Sequence, residues 1–326
     1  MNFARGKNYC VDKFRRAFSR RTVRDGGRRN MIKNIIFIGG DGRTAEAAKT
    51  LKKAGFGVRL VGLEKYGSGD TADAKMRKRD NPEARTQRID GTEIGLTEDV
   101  CVVLPTPCSK DGQTLFAPFA KEPFQIYEVR EMLRGVGLVV GGGAKKYFAE
   151  AVDLLEREDF KILNAVPSAE GAAAVAVTET DITLSGAKCV VVGFGKIGKR
   201  LSALLRAFGA DVTATARKAV DFAEARAAGI RIVQTKRVSA ALAEADIVFN
   251  TVPYSVIGEK ELSATKETAV FIELASAPGG IDKKTCGRLG RKYVSALGLP
   301  GRFSPKSAGR ITAEAIKNII EETYPI

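Results

Sequence analysis

The chain has 326 residues, 44% of them hydrophobic, and no apolar run approaches eighteen residues; it is long enough for two buried cores, and a soluble protein with no membrane span is expected. It contains no histidine. That excludes Ser-His-Asp and Cys-His catalysis, a histidine general base and histidine-ligated metal centres, and no metal site is expected.

The net charge of +15 is concentrated at one end: residues 1–30 hold ten Lys or Arg against Asp12 and Asp25, a net +8, leaving +7 for the other 296 residues. This stretch lacks the apolar core of a secretory signal, and no nucleic-acid-binding motif accompanies it, so no nucleic-acid partner is expected. Met31 stands directly before the first strand. Residues 1–30 are therefore expected to be a disordered extension outside the fold, the product of a start codon assigned too far upstream. Five scattered cysteines (Cys10, Cys101, Cys108, Cys189 and Cys286) fit a reducing cytoplasm, with Cys101 and Cys189 inside strand-like runs.

From Met31 the pattern is that of an α/β unit. Ile35 to Ile38 reads as a buried strand, Gly39 to Arg43 as a substrate-facing turn, Thr44 to Ala54 as a helix closed by Gly55, and Val58 to Val61 as a second strand. Residues 64–98 are polar and weakly periodic, and are expected to be an irregular, mobile insertion. Then follow a strand at Val100 to Leu104 ended by Pro105 and Pro107, a helix at Ile126 to Leu133, a strand at Leu138 to Val140, a helix at Lys146 to Glu158 and a strand at Phe160 to Leu163. Asn164 to Gly171 reads as a hinge, with Ser168 as the N-cap of an alanine-rich helix reaching Val177.

Lys188 to Val192 is an apolar run leading into Gly193-Phe194-Gly195-Lys196-Ile197-Gly198, and Ile197, Leu201, Leu204, Leu205 and Phe208 then recur at helical spacing up to Gly209. Strand, glycine-rich turn and helix in this order form a dinucleotide-binding fingerprint. Its first glycine serves the tight turn, the second the approach of a pyrophosphate, and the third close packing of helix on strand. The next strand, Asp211 to Ala216, decides between coenzymes. An NAD site places an acid near its end, whereas Ala216 is followed by Arg217 and Lys218, which suit a 2′-phosphate and favour NADP.

Further strands are expected at Ile230 to Val233, Asp246 to Thr251, Val270 to Leu274 and Tyr293 to Leu297, with a helix ending near Ala245 and a last one at Ala308 to Tyr324. Thr251, Val252 and Pro253, with Ala275, Ser276, Pro278, Gly279 and Gly280, are expected to wall the nicotinamide end, because ligands gather at the carboxyl ends of parallel strands. The expected fold class is α/β, with two Rossmann-like or flavodoxin-like parallel-sheet domains and a cleft between them. Residues 1–30 form the extension, 31–165 the substrate-side domain, 166–186 the cleft helix and linker, 187–305 the dinucleotide-binding domain, and 306–326 a helix packing back across the domain boundary.

Five segments together carry a more particular resemblance: Ile38 to Arg43, Pro167 to Gly171, Val192 to Gly198, Leu274 to Asp282, and Gly298-Leu299-Pro300-Gly301 with Pro305 to Gly309. In order, from residue 31 to 322, the chain resembles the A-subunit family of dipicolinate synthase. The resemblance implies an NADP-dependent oxidoreductase of spore formation, cytoplasmic in the mother cell, oligomeric, and working with the synthase's flavoprotein-like B-subunit on a dihydrodipicolinate-type dicarboxylate. For that substrate Lys306 and Ser307, at the start of the last helix, are expected to pair with one carboxylate, and Ser168 and Arg43 with the other. Lys306 and Glu170 are the catalytic candidates, Glu170 as proton acceptor in the first turn of the cleft helix, where burial would raise its pKa. Two alternatives stay open: another NAD(P)-dependent dehydrogenase of the 2-hydroxy-acid or amino-acid type, and a non-catalytic nucleotide-binding protein.

Overall fold

The structure is a computed structural model that describes residues 31–66, 85–89 and 92–325. The basic extension and most of the polar insertion lie outside the described residues.

The first half begins with β1 (Asn34–Ile38), α1 (Gly42–Lys53) and β2 (Gly57–Val61). Asp41 starts α1 by accepting the Arg43 N–H at 3.0 Å. A hairpin follows, β3 (Arg85–Ile89) and β4 (Thr92–Leu96), antiparallel in register from Arg85 opposite Leu96 to Ile89 opposite Thr92. The insertion, expected to be irregular, thus contains a strand pair whose mixed polar sequence carries little periodic signal. Next come β5 (Val100–Val103), α2 (Ile126–Met132), β6 (Leu138–Gly141) and the two-residue β7 (Val152–Asp153). The sheet runs β2-β1-β5-β6-β7, all parallel, the doubly wound flavodoxin-like order.

The expected helix at Lys146 to Glu158 and strand at Phe160 to Leu163 are not formed. Short 3₁₀ turns flank β7 instead, and a single helix, α3 (Glu158–Glu179), runs through the expected strand, hinge and alanine-rich helix. Its 22 residues span about 33 Å at 1.5 Å per residue. Continuity is favoured because both parts bury apolar surface: Phe160 joins the core of the first sheet, and Ala169, Ala172, Ala173, Val175 and Ala176 join the core of the second. Pro167 sits buried inside this helix, so the proline that suggests a boundary marks none.

The second half comprises β8 (Lys188–Val192), α4 (Lys196–Ala207), β9 (Asp211–Ala216), α5 (Ala219–Ala227), β10 (Arg231–Gln234), α6 (Val238–Leu242), β11 (Ile247–Asn250), α7 (Glu259–Ser263), β12 (Val270–Glu273), α8 (Lys283–Arg288), β13 (Lys292–Ser295), α9 (Leu299–Phe303) and α10 (Pro305–Thr323). Its sheet runs β10-β9-β8-β11-β12-β13, all parallel, the Rossmann order. Strands β8, β11 and β12 are almost wholly apolar because helices cover both their faces. Phe208, expected on the buried face of α4, is half exposed at its C-terminal cap.

Helix α10 returns to the first sheet, where Ala313, Ile316, Ile319 and Ile320 pack with Ile35 and Phe37 of β1. A Cβ on Gly309 would fall 2.6 Å from the Arg43 carbonyl oxygen, so α10 lies directly on the start of α1. Near its other end Arg157 clamps α3 to α10, donating to Asp159 at 2.7 and 2.9 Å and to Glu322 at 2.7 and 2.8 Å. The Arg157 guanidinium holds the Asp159 carboxyl well below the usual carboxylate range. The stabilisation is therefore whole above the unfolded carboxyl pKa of about 4 and fades as pH falls towards the lower folded value. Asp159→Asn is expected to cost about 1 kcal/mol at pH 7 after allowance for solvent screening. In denaturant unfolding the gap to wild type should narrow below pH 4.

Candidate dinucleotide site and the facing carboxyl edge

Parallel sheets bind ligands where the strand order reverses, which here is between β8 and β11. β8 ends at Gly193, whose φ of +99° turns the chain sharply and whose Cβ, if present, would fall 2.5 Å from Thr251 Oγ1. A Cβ on Gly198 would fall 2.2 Å from the Gly193 carbonyl oxygen, so the turn is closed against its own helix. Gly195, the extended N-cap of α4, differs: nothing lies within 4 Å of where its Cβ would stand. No side chain caps α4, leaving first-turn N–H groups and positive potential beside this open glycine. A pyrophosphate fits such a cradle.

The other residues of the fingerprint divide their work. Phe194 is buried against Ala214, Ala216, Ala225 and Ile230, so only its backbone borders the cradle; Ile197 is half-buried. Lys196 is exposed and pairs with Glu158 at the start of α3, Nζ to Oε2 2.6 Å. Lys161 also grips Glu158, and the two lysines hold its carboxyl down to about 2. At the end of β9, Ala216 is buried and leaves space, and no acid follows it. Arg217 and Lys218 are exposed and make no ion pair among the described residues.

Beyond β11 the Thr251 N–H and hydroxyl both donate to the Val192 carbonyl at 2.9 Å, fixing the exit of β11 against β8. Val252 is half-buried and Pro253 exposed; across the edge Ala275 is buried and Ser276 exposed. Two residues outside the expected set organise this region. Glu273, 3% exposed, accepts from Asn250 Nδ2 at 2.7 Å and from the N–H groups of Ala275, Gly280 and Ile281 at 2.9, 2.9 and 3.1 Å. Asn250, fully buried, also donates to the Val252 carbonyl at 2.8 Å. The sequence signal is an acid ending the apolar run Val270-Phe271-Ile272, six residues before Gly279-Gly280.

In the first sheet the order reverses between β1 and β5, and Arg43 lies there. Its Nε and Nη2 pair with Asp41 at 2.9 and 2.8 Å, and Nη2 also bonds the Thr106 carbonyl beyond β5, leaving Nη1 without a hydrogen bond among the described residues. Gly301 of α9 packs against this pair, its Cβ position 3.1 Å from Arg43 Nε. Beneath lies a water-sized cavity of about 20 Å³ bordered by Asp41, Arg43, Thr106 and Asn164. Lys306 and Ser307 stand exposed in the first turn of α10, two to three residues before the glycine that touches Arg43.

Two expectations on α3 need correction. Ser168 is not an N-cap: it lies buried in mid-helix and donates its only hydroxyl hydrogen to the Asn164 carbonyl at 2.7 Å, so it has none to offer a substrate carboxylate. Glu170 is likewise in mid-helix and not in a first turn, and it is exposed, so the burial expected to raise its pKa is absent. It makes no hydrogen bond or ion pair among the described residues. The described thiols are no substitute nucleophiles, since burial holds Cys101 far above the usual thiol range and pushes Cys108 and Cys189 up to about 12 and Cys286 up to about 11. A larger groove of about 570 Å³ opens among Lys188, Thr213, Arg231 and Glu244, but at the amino ends of β8 to β10, away from the Gly195 cradle.

Residues 34–163 match the family model for the N-terminal domain of the dipicolinate synthase A-subunit, and residues 169–284 match that for the NAD-binding domain of D-isomer specific 2-hydroxyacid dehydrogenases. The chain is similar to the A-subunit of dipicolinate synthase. The Bacillus subtilis protein of that name is 28% identical over 297 residues, 88% of this chain and 96% of its own. The crystal structure of the dipicolinate synthase A-subunit from Bacillus halodurans superposes with a TM-score of 0.76 at 28% identity, covering 89% of this chain and 98% of the other. A transhydrogenase from Sinorhizobium meliloti, at 18% identity and a TM-score of 0.58 over 88% and 93% of the two chains, shares the fold. The second half is thus similar to a dehydrogenase-type domain for a nicotinamide dinucleotide, and the first to the N-terminal domain of the dipicolinate synthase A-subunit. No described helix is long and apolar enough to cross a membrane.

Proposed function

We propose that this chain is an NADP-dependent oxidoreductase that converts dihydrodipicolinate, or its hydroxy-tetrahydro precursor, into dipicolinate, acting on a CH–CH group with a flavoprotein-like B-subunit in the mother-cell cytoplasm of a sporulating bacterium. The observation that carries it is the pairing of an uncapped α4 start, opened at Gly195, with an acid-free end of β9 followed by Arg217 and Lys218, which make no ion pair among the described residues. The α4 N–H groups hold the pyrophosphate, Arg217 and Lys218 the 2′-phosphate, and Thr251 to Pro253 with Ala275 and Ser276 flank the nicotinamide. When bound there, NADP supplies the hydride acceptor.

The rest is positioning and proton removal. The free Nη1 edge of Arg43, with Lys306 and Ser307 at the start of α10, holds the substrate carboxylates, while Asp41 keeps the guanidinium aimed. The exposed carboxylate of Glu170 accepts the proton as the ring becomes aromatic. Aromatisation drives the reaction, so a chain without histidine suffices, whereas the His-based relay of hydroxy-acid dehydrogenases has no counterpart here. The test is an assay of the chain with the B-subunit, the dihydrodipicolinate-type substrate and NADP. Absorbance of the reduced nicotinamide should rise, faster than with NAD. No rise with either coenzyme, or a rise only with a 2-hydroxy acid in a substrate panel, would reject the proposal.

A further inference from the structure

We propose that Glu273 and Asn250 are positioning residues that set the nicotinamide end of the cofactor site by locking its two wall loops into one unit. This rests on the reading of the site as a nicotinamide-dinucleotide site. A carboxylate at 3% exposure is costly unless its charge is satisfied, and no cation among the described residues does this: the donors are Asn250 Nδ2 and three backbone N–H groups of the segment 275–281. These four donors occupy the two oxygens evenly, two each, so the carboxylate dictates the path of the loop that follows β12. Asn250 extends the lock across the sheet. Its amide donates to Glu273 and to the Val252 carbonyl, and its oxygen accepts the Val252 N–H at 3.2 Å.

The two loops are pressed together accordingly. A Cβ on Gly280 would fall 2.4 Å from Asn250 Nδ2 and 2.6 Å from the Val252 carbonyl oxygen. The Val256 and Ile257 N–H groups both donate to the Gly280 carbonyl, at 3.0 and 2.9 Å. Neither Glu273 nor Asn250 reaches the surface, so each acts on a ligand only through Thr251 to Pro253 on one side and Ala275 to Gly280 on the other. The adenosine half is held elsewhere, by β8, β9 and the start of α4.

That separation provides the test. Glu273→Gln places an NH₂ group opposite two N–H donors whichever way it is turned, and Asn250→Ala removes the cross-strand link while leaving the backbone donors to Glu273 in place. Binding of NADP and of 2′-phospho-ADP-ribose, which lacks nicotinamide, is measured by calorimetry for wild type and both variants. The expected result is about a tenfold weaker NADP affinity with 2′-phospho-ADP-ribose affinity unchanged, the effect of Asn250→Ala being the smaller. Should Glu273→Gln fail to fold, Asn250→Ala decides. Equal weakening of both ligands, or no change in NADP affinity, overturns the positioning role alone. Wild-type protein that binds neither ligand, nor NAD, overturns the cofactor reading and this proposal with it.

Discussion

Gly195→Val is expected to abolish NADP binding, by at least about 100-fold, while leaving the unfolding midpoint close to wild type. The Gly195 backbone is extended, a conformation any residue adopts, and its Cβ position meets no atom within 4 Å, so the fold has no objection to a side chain there. The only thing displaced is what approaches the open cradle. Gly198→Val makes the control, since its Cβ would overlap the Gly193 carbonyl oxygen at 2.2 Å. That variant should cost on the order of 3 kcal/mol of stability as the turn is forced open. Calorimetric titration with NADP and thermal melting of both variants separate the two roles. If Gly195→Val binds NADP normally, the pyrophosphate does not lie on α4.

The second large effect concerns coenzyme choice. Arg217→Ser is expected to weaken NADP by roughly 30- to 100-fold, the loss of a charge-assisted hydrogen-bonded pair of about 2–3 kcal/mol, and to leave NAD within about threefold of wild type. The prediction is sharp because Arg217 has no ion-pair partner among the described residues, so its removal breaks nothing in the protein itself. Titration with both coenzymes reads the outcome directly. Equal weakening of the two would place Arg217 against a feature they share, and an unchanged NADP affinity would remove it from the site.

The parts of the chain that were legible in advance are those whose interactions are local. Lys188 to Ala207 announces strand, turn and helix because the apolar period changes from continuous to helical across three glycines, of which Gly198 meets its constraint at Gly193 and Gly193 at the exit of the adjoining strand. The end of β9 was equally readable as a strand, closing on Ala216 with two basic residues after it. Residues 146–170 were misread for the opposite reason. Phe160 to Leu163 is too short an apolar run to distinguish strand from helix, Pro167 marks a boundary in most contexts, and β7 has only two residues. What makes α3 one helix is burial of its two ends in different cores, and each core is built largely from strands and helices far from α3 in sequence.

The same division holds at the candidate site. Arg43 stood out as a basic residue after a glycine turn, but its orientation depends on Asp41, on the Thr106 carbonyl 63 residues away and on Gly301 of α9. Ser168 and Glu170 took their expected roles from a helix start that does not exist, and with it went the spare hydroxyl hydrogen and the burial. Glu273 was marked only as an acid at the end of an apolar run, because three of its four partners are backbone N–H groups, which every sequence supplies, and the fourth lies on a neighbouring strand.

By itself the sequence determined two parallel α/β sheets and a glycine turn opening a helix, because hydrophobic period and glycine spacing act over a few residues. Only the tertiary structure decided which residues of α10 cover the first sheet, that Arg43 is half engaged by Asp41, and that a buried carboxylate binds two distant loops together. These depend on which strands become neighbours, and that is fixed by packing between segments far apart in the chain.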